Sequence, residues 1–229
     1  VRPVVNEATA PAQWDTGFDR VLSFTVPGRN ARGRLVRLGP VLDTILSAHA
    51  YPDPARHLLA EALVITALMG SLLKEAGSQL TMQAQGEGGP VSMMVSDYRQ
   101  GGVPGYIQHS ADGMGGLGPK PGLPALFGEG YLAITFDLAA EGQRYQGIVP
   151  LEDATLSQAC QTYFERSEQV PTLLRVGVRS EGGRCIGGGL LVQHLPKGEE
   201  GQARLHVAGD PPEWEHVTAL AGSVRHAEL

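Results

Sequence analysis

The chain has 229 residues, 42% of them hydrophobic and 18% charged, which describes one generous globular domain, or a domain with an appendage, able to bury a substantial core. A formal charge of −6, with no basic block or aromatic–basic interleaving, argues against a surface built for nucleic acid or anionic membrane. Two distant cysteines, Cys160 and Cys185, exclude a disulfide scaffold and a zinc site made of thiolates alone. The 31 glycines and 16 prolines predict many tight turns and therefore many strands.

Residues 1–17 read as a weakly ordered N-terminal arm. Phe18–Val26 and Ala31–Leu38 alternate apolar with polar residues around the turn PGRN, which predicts strand, turn, strand. Arg32, Arg34 and Arg37 are expected on a solvated strand face. Val41, Leu42, Ile45 and Leu46 have helical spacing. After Tyr51-Pro52, Asp53 is expected as N-cap and Pro54 at the first helical position. The helix that follows, to about Lys74, is apolar on nearly all sides. Its charge-free run, Ala62 to Leu73, is shorter than the ~20 residues of a membrane span, so a buried central helix is predicted.

From Gln79 the period changes to two, and GEGGP and GGVPG turn successive strands into an antiparallel meander. The segment Ala111 to Pro124 contains a literal GxGxxG at Gly113, Gly115 and Gly118. Pro119, Pro121 and Pro124 follow it, no helix is expected to open there, and a dinucleotide loop is excluded. Tyr131–Leu138 and Tyr145–Leu151 read as strands. Leu156, Ala159, Cys160, Tyr163 and Phe164 then mark the core-facing stripe of a helix beginning near Thr155, with Glu152 and Asp153 complementing its positive end. Leu173–Val178 and Cys185–Leu195 are the last strands, and the triple glycine of GGGLLVQHL predicts a bulge or a close backbone approach. Residues 197–229 read as a linker region. In it Asp210 and Pro211 open an amphipathic helix striped by Trp214, Val217, Ala221 and Val224. The whole is α+β: largely antiparallel sheets, a buried central helix hairpin and a further packed helix.

No motif carries catalysis. The histidines (His49, His57, His109, His194, His206, His216 and His226) form neither HExxH nor an i,i+4 pair and read as scattered over the surface. There is no GxSxG elbow. Cys160 is expected to be buried and inert, and Cys185 to be the more exposed of the two. No catalytic, cofactor or metal residue is expected, and an enzyme is not.

The stretch RYQGIVPLEDATLSQACQTYFERSEQVPT, Arg144 to Thr172, closely resembles the signature of the heat-shock protein 33 family of redox-regulated bacterial chaperones. AEALVITALMGSLLK, QAQGEGGPVSMMV and GGGLLVQHLP resemble further family segments in the same order, so the resemblance runs from about Phe18 to Leu229. It implies an ATP-independent holdase that binds unfolding proteins under oxidative or heat stress, with residues 18–196 as the client-binding core; the cytoplasm is the expected compartment because the first twenty residues show no apolar signal-peptide core. It also implies a C-terminal zinc domain with a C-x-C and a C-x-x-C pair. Those four ligands have no counterpart here, and zinc is expected only in that further domain. Trp214, Val217, Ala221 and Val224 are the candidate cover of a client surface. The partners implied are unfolded or partly folded proteins, with a homodimer as a possible assembly. Two rival classes remain at this point: a non-chaperone α+β assembly module, and an enzyme of unknown substrate.

Overall fold

The computed structural model describes residues 17–118, 120–139, 142–195 and 212–229. Most of the N-terminal arm, the linker at 196–211 and the expected cap Asp210-Pro211 lie outside the described residues.

Two antiparallel sheets sandwich one helix. The first sheet has four strands, β1 (Arg20–Val26), β2 (Ala31–Leu38), β8 (Thr172–Glu181) and β9 (Arg184–His194), in the order β1-β2-β9-β8. The second has five, β3 (Gln79–Gly88), β4 (Val91–Arg99), β5 (Gly105–His109), β6 (Gly128–Leu138) and β7 (Gln143–Pro150), in the order β5-β4-β3-β6-β7. Helix α1 (Pro40–Ser47) buries Leu42 and Leu46 and hands the chain to α2 (Asp53–Gly70). Helix α2 packs on β2, β8 and β9 on one side and on β3, β4 and β5 on the other. That explains why it has no polar stripe: Leu59, Leu63, Ile65, Leu68 and Met69 point in different directions and are all fully buried. Its one buried hydroxyl, Thr66, is satisfied by Ser96 of β4 at 2.6 Å.

The expected α+β architecture is present, with local differences. Helix α2 begins at Asp53, with Pro52 as the capping residue, and it ends at Gly70 rather than Lys74. At that end the ring of Tyr98 lies against Gly70, where a Cβ would fall 2.0 Å from Cγ. Tight turns then close through Leu72 N–H to the Met69 carbonyl and Leu73 N–H to the Gly70 carbonyl. The glycine- and proline-rich segment does hold short helices, α3 (Ala111–Met114) and α4 (Leu123–Phe127). Pro124 stands in the first turn of α4, where its missing N–H costs nothing. On β2, Arg32 and Arg34 share the inward face with Val36 and Leu38. They are half-buried there, Arg32 donating to Gln193 Oε1 and Arg34 to the Gly33 carbonyl.

The family-like stretch is architecture. Helix α5 (Leu156–Tyr163) buries the expected stripe, and Gly147 of β7 makes room for the ring of Tyr163, where a Cβ would fall 2.2 Å from Cε2. Its N-terminus is closed by a Thr155–Gln158 capping box, with Glu152 and Asp153 just ahead of it in the chain. A carboxylate from α2 completes the cap: Glu61 Oε1 accepts from Ser157 N and Oγ, both at 3.1 Å. A five-residue π-turn, Phe164–Glu168, follows α5 and carries Glu168 back to accept from the Tyr163 hydroxyl.

Two outcomes follow from these ties. Thr66→Val leaves the Ser96 hydroxyl buried without a partner and should cost about 1–3 kcal/mol in urea denaturation, part of which Thr66→Val/Ser96→Ala recovers. Burial raises the Glu61 carboxyl above its ordinary 4.5, against the opposing effect of the Ser157 bonds. The folded state therefore holds this proton more tightly. The linked stability is complete below pH 4.5 and is lost as pH rises through the folded-state value. Denaturation at a series of pH values should show that fall in the wild type and its absence in Glu61→Gln.

Candidate functional site

The feature that sets this molecule apart is the outer face of the four-stranded sheet. Strand alternation sends Val36, Leu38, Leu174 and Leu191 inward to the central core. It sends Ala31, Leu35, Leu173, Leu190 and Val192 outward, into a separate apolar cluster. The registers align the outward residues into rows. Leu22 faces Leu35, which faces Leu190; Phe24 faces Gly33, which faces Val192. Gly33 lets the Phe24 ring lie flat on the sheet, since a Cβ there would fall 2.1 Å from Cζ.

Helix α6 (Pro212–Ser223) lies across part of this face, touching β8, β9 and the turn Pro27–Arg29. All four residues of its predicted stripe come together there. Trp214 is 4% and Val217 7% exposed, and Ala221 and Val224 are half-buried against the same cluster. The Trp214 ring sits 5.7 Å from that of His194, centroid to centroid. Beyond α6 the chain crosses bare backbone. Gly177 and Gly188 are register partners on β8 and β9, and a Cβ on them would fall 2.3 Å from the His226 carbonyl oxygen and 2.0 Å from that of Leu229. The close approach expected of the triple glycine is therefore real on both faces, since Gly187 and Gly189 meet Val64 of α2 on the other side.

The cover is partial. Leu22 is 60% and Phe24 37% exposed, so the β1 side of the apolar face is open to solvent. The stripe was legible from helical spacing; the receiving rows were not, because they depend on the pairing of β2 with β9 across most of the chain. An open apolar face of this kind marks an interaction surface.

The cysteines do not contribute. Both are free and buried; Cys185, expected to be the more exposed, is fully buried beneath α1, its N–H donating to Asp43 Oδ1. Burial raises both thiols, for Cys160 with the carboxylates of Glu61 and Asp153 adding to it. Among the described residues no three His, Cys, Asp or Glu side chains are grouped as a metal would need, and the two cysteines sit in different elements, so these residues do not fit a zinc centre. No helix among the described residues is long and apolar enough to cross a membrane.

The described residues form a two-sheet α+β domain with a half-covered apolar sheet face, the kind of surface at which other molecules dock. Comparison with known proteins gives the family. The family described as Hsp33 protein matches residues 19–229. A 33 kDa chaperonin of Caulobacter vibrioides is 37% identical over 225 residues, covering 94% of this chain and 72% of that relative. One of Vibrio cholerae is 35% identical over 202 residues, covering 87% of this chain and 64% of that relative. The crystal structure of the 33 kDa chaperonin of Thermotoga maritima shares the fold, with a TM-score of 0.65 at 24% identity over 79% of this chain and 62% of that one. The chain belongs to the Hsp33 family, a family of chaperones.

Burying Trp214 and Val217 contributes about 1.5–3 kcal/mol each. Trp214→Ala should therefore speed hydrogen exchange of α6 amides at least about tenfold while α2 amides keep their protection. Gly188→Val, which drives a side chain into the Leu229 backbone, should loosen the same segment without touching the core.

Proposed function

We propose that this chain is an ATP-independent holdase whose client surface is the outer face of the four-stranded sheet, with α6 as its removable cover. The observation that carries this reading is the pairing of a docked amphipathic helix with an apolar face that it only half conceals. Leu22 and Phe24 offer a standing foothold for an unfolding chain. Lifting α6 adds Leu190, Val192, Ala31 and Leu173 beside it in continuous rows. A helix of twelve residues is marginal in water by itself, so its hold on the sheet is the difference between its burial and the entropy of ordering it. Residues 18–196 act in this reading as the client-binding core and 197–229 as the linker region. The setting is the cytoplasm, and no nucleic acid or membrane is engaged. Cys160 and Cys185 play no part in any redox response, because neither thiol reaches solvent.

A second reading, self-association, is favoured by one observation: β1 is an edge strand whose residues are largely exposed. Sedimentation over a range of concentrations separates a β1-paired dimer from a monomer.

Light scattering of a heat-unfolding client protein tests the holdase reading. This chain should suppress aggregation equally when reduced and when oxidised. Trp214→Ala should suppress it at lower molar ratios, since a docking equilibrium weakened by about 1.4 kcal/mol exposes about tenfold more open protein. No suppression by either protein would sink the proposal.

A further inference from the structure

On the flank of the sandwich, at the β8 end of the apolar rows, where Arg175 pairs with Leu190, a cleft of about 460 Å³ opens between α2, α5, the approach to α4 and β8. The histidines do not all scatter as expected: His57 of α2 and His226, just beyond α6, line this one cleft. Lys120, before α4, and Arg175 of β8 line it too. The remaining charged group is Glu61 of α2, which is engaged by Ser157, and α5 contributes only uncharged side chains. Four basic groups from four separate places along the chain thus converge in a protein whose formal charge is −6.

Two further observations point to a missing counter-charge. Nε of Arg175 is buried and has no hydrogen-bond partner among the described residues, an expensive state for a guanidinium donor. The electrostatics of the two imidazoles agree. Burial lowers both, Lys120 lowers both further, and Arg175 adds to the effect on His226, with no acidic group acting on either. Apolar walls from Leu58, Leu123 and Leu126 limit the water available to screen these charges.

We propose that this cleft is a binding site for a small, multiply charged oxyanion of the phosphate class, held by Arg175 and Lys120 with His57 and His226 beside them. A guanidinium fork matches the oxygens of a phosphate, and an ammonium and two imidazoles supply the further donors that a dianion or trianion needs. A lone carboxylate would leave most of the set unpaired. Because His226 belongs to the segment beyond α6 and the other three groups to the core, the bound anion also ties that segment down. The site stands on the cleft alone and does not depend on the holdase reading.

The test is a titration of the whole chain with sodium pyrophosphate at constant ionic strength, followed by imidazole NMR, with citrate as a polycarboxylate of similar charge. Expected are saturable shifts at His57 and His226, a rise in the pKa of both, and weaker binding of citrate. Arg175→Gln should weaken pyrophosphate about ten- to hundredfold. Lys120→Gln, at an exposed position where folding is not at stake, should weaken it about tenfold. Absence of saturable shifts, equal binding of citrate, or unchanged affinity in Lys120→Gln would each overturn the proposal. Circular dichroism of Arg175→Gln establishes that any loss there is not unfolding.

Discussion

Everything in this molecule hangs on a helix that is wanted on both sides. Two antiparallel sheets each have one face to hide, and α2 is the common filling. A helix with a polar stripe would satisfy one sheet and leave the other facing charge. The run of leucine, alanine, valine and isoleucine in α2 removes that choice, and the alanines let both sheets come close. Because α2 takes the inner faces, the outer face of the four-stranded sheet is left over, and it is there that the apolar rows lie.

The parts of this design that were legible in the sequence are those with local causes. The apolar run of α2 announces burial whatever surrounds it, and the stripe of α5 and the spacing of Trp214, Val217, Ala221 and Val224 are periodic signals within single elements. What escaped depends on partners far along the chain. The glycine at the end of α2 is required by the ring of Tyr98 on β4. The inward turn of Arg32 and Arg34 follows from the pairing of β2 with β9, which joins Ala31 to His194 and leaves no local trace. The cleft gathers charge from four places along the chain, each contributing one basic residue that nothing in its local sequence singles out. Cys185 looked like the start of an open strand, and only the seating of α1 over β9 shows why it is sealed.

The relation between α6 and the sheet is one of graded exposure. Trp214 and Val217 anchor the helix, Ala221 and Val224 are half-covered, and Leu220 on the opposite side is 60% exposed. The sheet mirrors this gradient: Leu190 and Val192 are sealed and Leu22 is open. Neither partner is fully satisfied by the other, so an incoming apolar chain competes with α6 for the same rows rather than for a separate site. The charged cleft lies beside this contest, on the flank where the segment after α6 meets the core.

The facing glycines on β8 and β9 bear on where that contest begins. Where the last residues cross Gly177 and Gly188, the carbonyls of His226 and Leu229 rest directly on the glycine backbone. Dispersion contacts of this sort fade within an ångström of separation. At those two crossings little has to be extracted before the segment parts from the sheet; the packed side chains of the cover lie on either side of them, at Trp214, Val217, Val224 and Leu229. The terminal segment can therefore loosen from its end before the helix lets go, and the anchors Trp214 and Val217 set how firmly the rest of the cover is held.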